Sequence, residues 1–175
     1  MIYGTSNMAA SFRTVRKNTI TVAEDIPADK YSFKAAPDVK SVAEMLAHIA
    51  VSPEWQIAFH KERISAATFE LFSKGMAKAA AEEQGLQTKE EIIAALKTKG
   101  EQFASFLDGV DPGILGEIVT FPPPLQPSQK TRFEMLLSVK EHEMHHRGQL
   151  MLIERLLGIV PHGTRQRQAA AQARA

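Results

Sequence analysis

The chain contains no cysteine among its 175 residues. This absence excludes disulfide frameworks, thiolate-bound zinc and cysteine nucleophiles. Any bound metal must therefore be held by nitrogen or oxygen atoms. A domain of this length buries about two-thirds of its unfolded surface without disulfides or a structural metal. A metal would accordingly serve a function rather than hold the fold together.

Long apolar runs and a marked charge excess are missing as well. No stretch of 18 uncharged apolar residues occurs, and the start MIYGTSNMAASFR lacks a basic segment followed by an apolar core. These features predict a soluble, cytoplasmic protein without a membrane partner. The net charge is +1, and three arginines in the tail after residue 164 leave the rest at −2. This slightly acidic body does not favour nucleic-acid binding.

The spacing of apolar residues predicts the first two helices. Residues 8–22 repeat apolar side chains every three or four positions, which indicates an amphipathic helix that ends before Pro27. Ser41 and Glu44 form a capping-box pair, which predicts the start of a second helix. Pro53 lies inside this second helix and is expected to kink it.

Two further helices follow in the second half of the chain. Thr88 and Glu91 repeat the capping-box pattern at the start of a third helix, which ends before Gly109 and Pro112. A long helical pattern then covers residues 130–157. No convincing run of alternating strand residues occurs. The expected fold class is therefore all-α, a four-helix bundle whose sites face its interior.

Two segments lie outside this four-helix pattern. Residues 66–87, an extra segment between the second and third helices, are alanine-rich and interrupted by glycines. The sequence leaves open whether they form a short helix or a mobile lid. Residues 164–175 have no bulky apolar side chain and are predicted to be a disordered basic tail. The expected organisation is one helical domain over residues 1–163 followed by this tail.

Two histidines lie one turn apart on the predicted fourth helix. At about 100° per residue, His142 and His146 differ by roughly 40° around the axis, and both fall in the apolar stripe. Burying two imidazoles there leaves polar nitrogens without partners, and a shared metal ion satisfies them together. His145, Glu141 and Glu143 fall on the rim or the solvent face. The pair therefore predicts a metal site.

His48 on the second helix is the predicted third ligand. It shares a face with Met45, Trp55 and Phe59, a stripe that favours core packing over a substrate pocket. The alternative for His48 alone is a hydrogen-bonded core histidine. Three neutral imidazoles leave a site of charge about +2 with an open coordination position, which is typical of catalytic centres. All-nitrogen ligation suits zinc, nickel, copper or iron, and we expect zinc or nickel.

The string at residues 142–146 also fits H-E-x-x-H, the zinc-protease signature in which the glutamate, here Glu143, acts as general base. The extended form of this signature fails, because Gln149 and Leu152 occupy the positions of its glycine and third histidine. Glu154, the last acidic residue, lies about 80° around the helix and is poorly placed to complete the site. The three-histidine interpretation is therefore preferred.

These residues resemble the DinB-like superfamily of metal-binding four-helix bundles. The likeness covers most of the chain and is carried by IPADKYSFKAAPDVKSVAEMLAHIA and HEMHHRGQLMLIERLLGIVP. In that family the ligands are one histidine on the second helix and two, four residues apart, on the long late helix. The resemblance thus implies His48, His142 and His146 as ligands, and His145 matches no ligand position.

The resemblance also implies an activity. Several family members are thiol-dependent S-transferases or isomerases that use bacillithiol, mycothiol or glutathione, with a metal that lowers the pKa of the thiol. We therefore expect a metal-dependent thiol S-transferase or related hydrolase acting on small electrophiles. The alternative is a non-catalytic metal-binding or stress-response module. Gln149 lies about 20° from His142 on the helix. The sequence leaves open whether it orients a ligand or a metal-bound water, or is a solvated or structural amide.

A homodimer is the expected assembly. The family is usually dimeric, and the fourth helix carries a second apolar stripe roughly opposite the histidines. This stripe consists of Phe133, Leu137, Met144 and Met151. One apolar face would pack in the bundle core, and the other against a further helix or a twin subunit.

Overall fold

The computed structural model describes residues 3–174, and this part of the chain contains seven α-helices. They are α1 (Thr5–Asp25), α2 (Val42–Val51), α3 (Pro53–Lys61), α4 (Phe69–Gly85), α5 (Lys89–Gly109), α6 (Arg132–Leu156) and α7 (His162–Gln172). An antiparallel pair of strands, β1 (Ile118–Thr120) and β2 (Gln129–Thr131), lies between α5 and α6. Neither strand was predicted from the sequence, because three residues are too few to show alternation.

The core lies between α1, α2, α5 and α6. Each of these helices contributes side chains with no exposed surface, such as Val22, Leu46, Ile92 and Leu150. The prediction of a mainly helical fold is confirmed. The count of four helices is too simple, since α3, α4 and α7 are additional. None of the helices in residues 3–174 has the length and hydropathy needed to cross a membrane.

The ends of the helices follow the capping signals in the sequence. The Ser41 hydroxyl accepts a bond from the Glu44 amide at 3.2 Å, and the Glu44 carboxylate accepts one from the Ser41 amide at 2.6 Å. Thr88 caps α5 in the same way. The predicted second helix is interrupted at Pro53. The helix α2 ends at Val51, and Pro53 lies in the first turn of α3, where its missing N–H breaks no helical bond.

Most of the segment at residues 66–87, whose conformation the sequence left open, is the helix α4. The Thr68 hydroxyl accepts a bond from the Leu71 amide at 3.2 Å and caps its first turn. No residue of α4 is buried, and the helix lies against α2. The Lys99 ammonium on α5 donates to the Glu82 carboxylate on α4 at 2.8 Å. The same ammonium also pairs with Glu54 on α3. The helix α4 is therefore a surface element held over α2 by a few polar and aromatic contacts.

The structure corrects the expectation of a disordered tail, because residues 162–172 form α7. Alanine, glutamine and arginine, which dominate this segment, are good helix formers. Arg165 donates to the Asp25 carboxylate at the end of α1, at 2.6 Å, and to the Val160 carbonyl at 2.6 Å. These bonds hold α7 beside α1 without burying any of its side chains. The single domain over residues 1–163 stays a prediction.

Candidate metal centre

The three histidines singled out in the sequence lie together between two helices. His48 projects from α2, and His142 and His146 project from α6. The Nε2 atom of His142 is 3.1 Å from Nε2 of His48 and 3.1 Å from Nε2 of His146. One ring nitrogen from each residue lies within 4.8 Å of the other two, and all three side chains are half-buried. The backbone thus brings together residues that are 94 positions apart.

These distances fit a shared cation. In a tetrahedral zinc site with Zn–N bonds of about 2.0–2.1 Å, neighbouring ligand nitrogens are roughly 3.3 Å apart. The observed 3.1 Å separations are close to this value. Two of the three nitrogen–nitrogen separations therefore fit a shared ion, and the third, between His48 and His146, is at most 4.8 Å.

Two neighbouring side chains turn the outer rings toward this common point. Nδ1 of His48 is 2.8 Å from a carboxylate oxygen of Glu83, and Nδ1 of His146 is 2.9 Å from the amide oxygen of Gln149. Because these partners are acceptors, each Nδ1 carries the proton and each Nε2 presents a lone pair. His142 can offer at most one proton from Nε2, so three neutral rings cannot satisfy one another. A cation among the three nitrogens would satisfy all of them.

Burial keeps the α6 histidines in the form that binds metal. Loss of solvent contact, followed by the like charges of His146 and His48, lowers the pKa of His142 to about 4. Burial also lowers the pKa of His146, although its hydrogen bond to Gln149 opposes this shift. Metal ions bind the neutral imidazole, so protons compete little at neutral pH.

Glu83 is the contact that the sequence analysis missed. Its carboxylate reaches from α4 to His48, 35 positions earlier in the chain, and its second oxygen is 3.6 Å from the Lys40 ammonium. A carboxylate behind a ligating histidine fixes the ring's orientation and makes it more basic. No spacing in the sequence links Glu83 to His48, because their contact depends on how α4 packs on α2.

Gln149 contacts the cluster, and His145 lies outside it. The Gln149 amide nitrogen is 3.4 Å from Nε2 of His145, while its oxygen accepts from His146. His145 is exposed, in agreement with its predicted place on the rim. That Gln149 orients a ligand at the metal stays one of the alternatives that the sequence left open.

Glu143 was predicted to lie on the rim, and this prediction is wrong. In the structure its side chain is only 1% exposed. The Arg16 guanidinium donates through Nε to both carboxylate oxygens at 3.0 Å, and Nη2 lies 2.9 Å from one of them. The helical wheel placed Glu143 outside, but α6 packs against both α1 and α2, so the face beside the histidines is also interior. A carboxylate held in this way is not free to act as a general base. The structure therefore does not support the protease interpretation.

Arg16 also ties the two ligand-bearing helices together. Besides Glu143 on α6, its guanidinium donates to the Ile49 carbonyl of α2 at 3.1 Å and the Leu96 carbonyl of α5 at 2.9 Å. Glu143 and Ile49 each directly follow a ligand histidine in the sequence. One buried side chain of α1 therefore bonds the α2 backbone and an α6 side chain directly beside the ligand histidines.

A pocket of about 450 Å³ opens beside His48 and His142. Its walls come from α2, α3, α4 and α6, with the Trp55 indole on one side. Met45 and Phe59 are 5% and 2% exposed and belong to the core, as the sequence analysis favoured. Trp55, from the same predicted stripe, instead borders the pocket.

The fold and the cluster define a class of helical bundles with a histidine site between two helices. The sequence pattern of the DinB superfamily matches residues 11–150, a range that includes all three histidines. The chain therefore belongs to the DinB superfamily. The chain is similar in structure to a DinB-like protein from Bacillus subtilis, whose crystal structure is known. The match covers 86% of this chain and 91% of the Bacillus subtilis chain, with a TM-score of 0.63 and 24% sequence identity. At this identity the likeness shows the fold alone, and no curated protein sequence matches the chain.

Proposed function

We propose that the protein binds one divalent ion, zinc or nickel, through His48, His142 and His146. At this centre it would transfer a low-molecular-weight thiol to a small electrophile, or carry out a related hydrolysis. The convergence of three Nε2 atoms, two of them turned inward by Glu83 and Gln149, carries the proposal. Nitrogen-only ligation favours zinc or nickel over magnesium or calcium.

The chain's own groups would position the reactants. Three protein ligands leave a coordination position, and the pocket beside His48 and His142 gives access to it. When bound, the metal would lower the pKa of a coordinated thiol and so supply a thiolate nucleophile at neutral pH. Glu83 would keep His48 in place during turnover, and Gln149 would do the same for His146.

Thiol consumption tests this function. Zinc- or nickel-loaded protein is mixed with a panel of small thiols and a chromogenic aryl halide; the sulfur–carbon bond forms, halide leaves and a proton is released to solvent. We expect turnover that His142→Ala abolishes. His145→Ala is the matched control, because this exposed histidine on the same helix lies outside the cluster and its loss should leave turnover within about twofold. Absence of thiol consumption with either metal would contradict the enzymatic proposal.

A non-catalytic metal-binding or stress-response module is the second candidate. It is favoured by the pocket lining, in which none of the eleven residues is an acid and the only bases are His48 and His142. In this case metal would raise the melting temperature, because an ion that binds only the folded chain stabilises it, and no thiol would be consumed.

The homodimer also stays a proposal. Of the predicted stripe, Phe133, Leu137 and Met151 pack against this chain's own core, and only Met144 is largely exposed. A partly different set of exposed apolar side chains runs along α6 and into the segment that follows it. This set is Met144, Leu152, Leu156 and Val160. A mass in light scattering that stays monomeric at every concentration would exclude the dimer.

A further inference from the structure

The pocket beside the histidines has an uncharged, mainly apolar wall. Its lining residues are His48, Ser52, Trp55, Gln56, Phe72, Gly75, Met76, Ala79, Ser138, Val139 and His142. None of them carries a carboxylate, an ammonium or a guanidinium group. At about 450 Å³ the pocket falls within the usual range for small-molecule sites, which is about 300–1,000 Å³.

Three polar groups of the lining bond within the chain. The hydroxyls of Ser52 and Ser138 donate to the carbonyls of Ile49 and Met135, at 3.3 and 2.7 Å. The Gln56 amide oxygen lies 3.0 Å from Nε2 of His60. A charged group placed in this pocket would therefore find no side chain of opposite charge in the wall, so removing it from water would be costly. The free ligating capacity lies at one end, at the histidine nitrogens.

Aromatic rings form one side of the pocket. The Trp55 indole stacks on Phe72, with ring centroids 5.5 Å apart and an angle of 21° between the planes. Phe72 stacks in turn on Phe121, at 6.2 Å and 16°. Trp55 also packs against Phe59, with ring centroids 4.9 Å apart. Aromatic side chains favour a further aromatic group through offset-stacked or edge-to-face contacts.

Gly75 permits this arrangement. A Cβ atom at Gly75 would lie 2.4 Å from Cδ1 of Trp55, so α4 can approach the indole only without a side chain at this position. Trp55 also lines a second pocket of about 230 Å³, whose lining includes Lys74, Lys78 and Glu82. These three charged side chains of α4 therefore line the second pocket and not the uncharged one.

We propose that the uncharged pocket binds the aromatic, uncharged body of a small substrate whose donor or reactive end reaches the three histidines. This inference rests on the proposed function and adds the substrate class to it. The apolar wall, which holds no charged side chain, selects against a carboxylate or ammonium in the pocket, and the aromatic rings of Trp55 and Phe72 favour an aromatic body.

The single tryptophan gives a direct readout, since Trp55 is the only one in the chain. Zinc-loaded protein is titrated with 2-phenylethanethiol and with 3-mercaptopropionate, which share the sulfur donor but differ in body. We expect Trp55 fluorescence to report an affinity at least tenfold higher for the phenyl compound. Equal affinities, or a preference for the carboxylate, would overturn the proposal.

Substitutions on α4 locate the effect. Met76 is 73% exposed at the mouth of the pocket, so Met76→Asp should fold and should weaken 2-phenylethanethiol binding at least fivefold. Ala77→Asp adds the same charge one position along, outside the lining, and should change the affinity less than twofold. Equal effects of the two variants would contradict binding in this pocket.

A probe without sulfur separates this inference from the proposed function. Titration of metal-free protein with 2-phenylethanol should still change Trp55 emission, and Met76→Asp should reduce the change. If no metal is retained but this response occurs, the proposed function fails and the pocket assignment stands. If metal is retained and thiols are consumed without any preference for the phenyl compound, the pocket assignment fails and the proposed function stands. No response to either aromatic probe overturns the assignment in every case.

Discussion

Two polar clusters lie side by side on α6 and differ in how their bonds are completed. Glu143 and Arg16 satisfy each other, and the remaining N–H groups of the guanidinium reach backbone carbonyls. One residue earlier, His142 faces two other imidazoles whose lone pairs are turned toward it. The first cluster is complete within the chain, whereas in the second the three neutral rings cannot satisfy one another's nitrogens, and no other partner for these nitrogens lies among residues 3–174.

This difference separates a structural role from a binding role. Buried polar groups in proteins are almost always bonded, so a cluster that cannot bond internally indicates an external partner. The ion pair should therefore respond to substitution through stability, and the histidines through metal content.

The largest expected effect is on metal content. His142→Ala removes the ligand nearest to both others, and we expect zinc to fall from about one ion per chain to almost none, because two ligands are too few for a stable site. Elemental analysis after dialysis measures this change. His145→Ala should keep its zinc, and comparable loss in both variants would show that the ion is bound elsewhere.

The ion pair should affect folding instead. Arg16→Met leaves Glu143 buried without a counter-charge, and such a change costs about 3–5 kcal/mol of unfolding free energy. Replacing both residues with methionine should recover most of this loss, since no buried charge remains. The exposed pair of Arg13 with Glu101 gives the matched control on the same helix, and Arg13→Met should cost less than about 1 kcal/mol. Chemical denaturation of the four proteins decides the question; equal losses for Arg13→Met and Arg16→Met would contradict the division.

A third polar group on α6 differs from both clusters. The carboxyl of Glu154 is buried and has no hydrogen-bond partner among the described residues. Burial, aided by the nearby Asp25, raises its pKa to about 7. The folded state then holds a proton that the unfolded state loses at about pH 4.5, so stability falls as the pH rises from about 4.5 to 7. Glu154→Gln removes this titration and should be more stable than the unchanged protein by about 3 kcal/mol at pH 8.

The pH dependence of that difference is the check. At pH 4.5 the advantage of Glu154→Gln should nearly vanish, because the carboxyl is then protonated in the folded protein. Glu141→Gln changes an exposed glutamate on the same helix and should show no such dependence. A Glu154→Gln advantage that is the same at both pH values would contradict the raised pKa.

The smallest effect is expected at Glu83. Glu83→Gln keeps a hydrogen bond to His48 but removes the carboxylate charge, and loss of such a partner lowers metal affinity about 10–100-fold. Competition with a zinc chelator measures this affinity. Glu82→Gln changes the neighbouring residue, which pairs with Lys99 and not with a histidine, and should leave the affinity unchanged. If the two variants behave alike, the carboxylate behind His48 has no special role.

The features that could be predicted from the sequence depend on short-range patterns along the chain. Capping boxes at Ser41 and Thr88 gave the helix starts, and the four-residue spacing of His142 and His146 gave their common face. These features depend on a few neighbouring residues, so they can be found without knowing the fold. The placement of His48 opposite them came from its position on an apolar stripe.

What the sequence did not predict depends on contacts between distant segments. Glu143 is buried because Arg16 on α1 meets it, and the wheel of α6 alone cannot show this. Glu83 supports His48 only because α4 packs on α2, in a segment whose conformation was left open. The helix α7 forms where a disordered tail was expected, with Arg165 bonded to Asp25.

Anomalous diffraction from zinc-soaked crystals tests the central claim most directly. The account predicts one zinc peak at about 2.0–2.1 Å from Nε2 of His48, His142 and His146, with Glu83 and Gln149 still bonded to the outer rings. A zinc peak held by other residues, or the absence of any peak between α2 and α6 at saturating zinc, would contradict it.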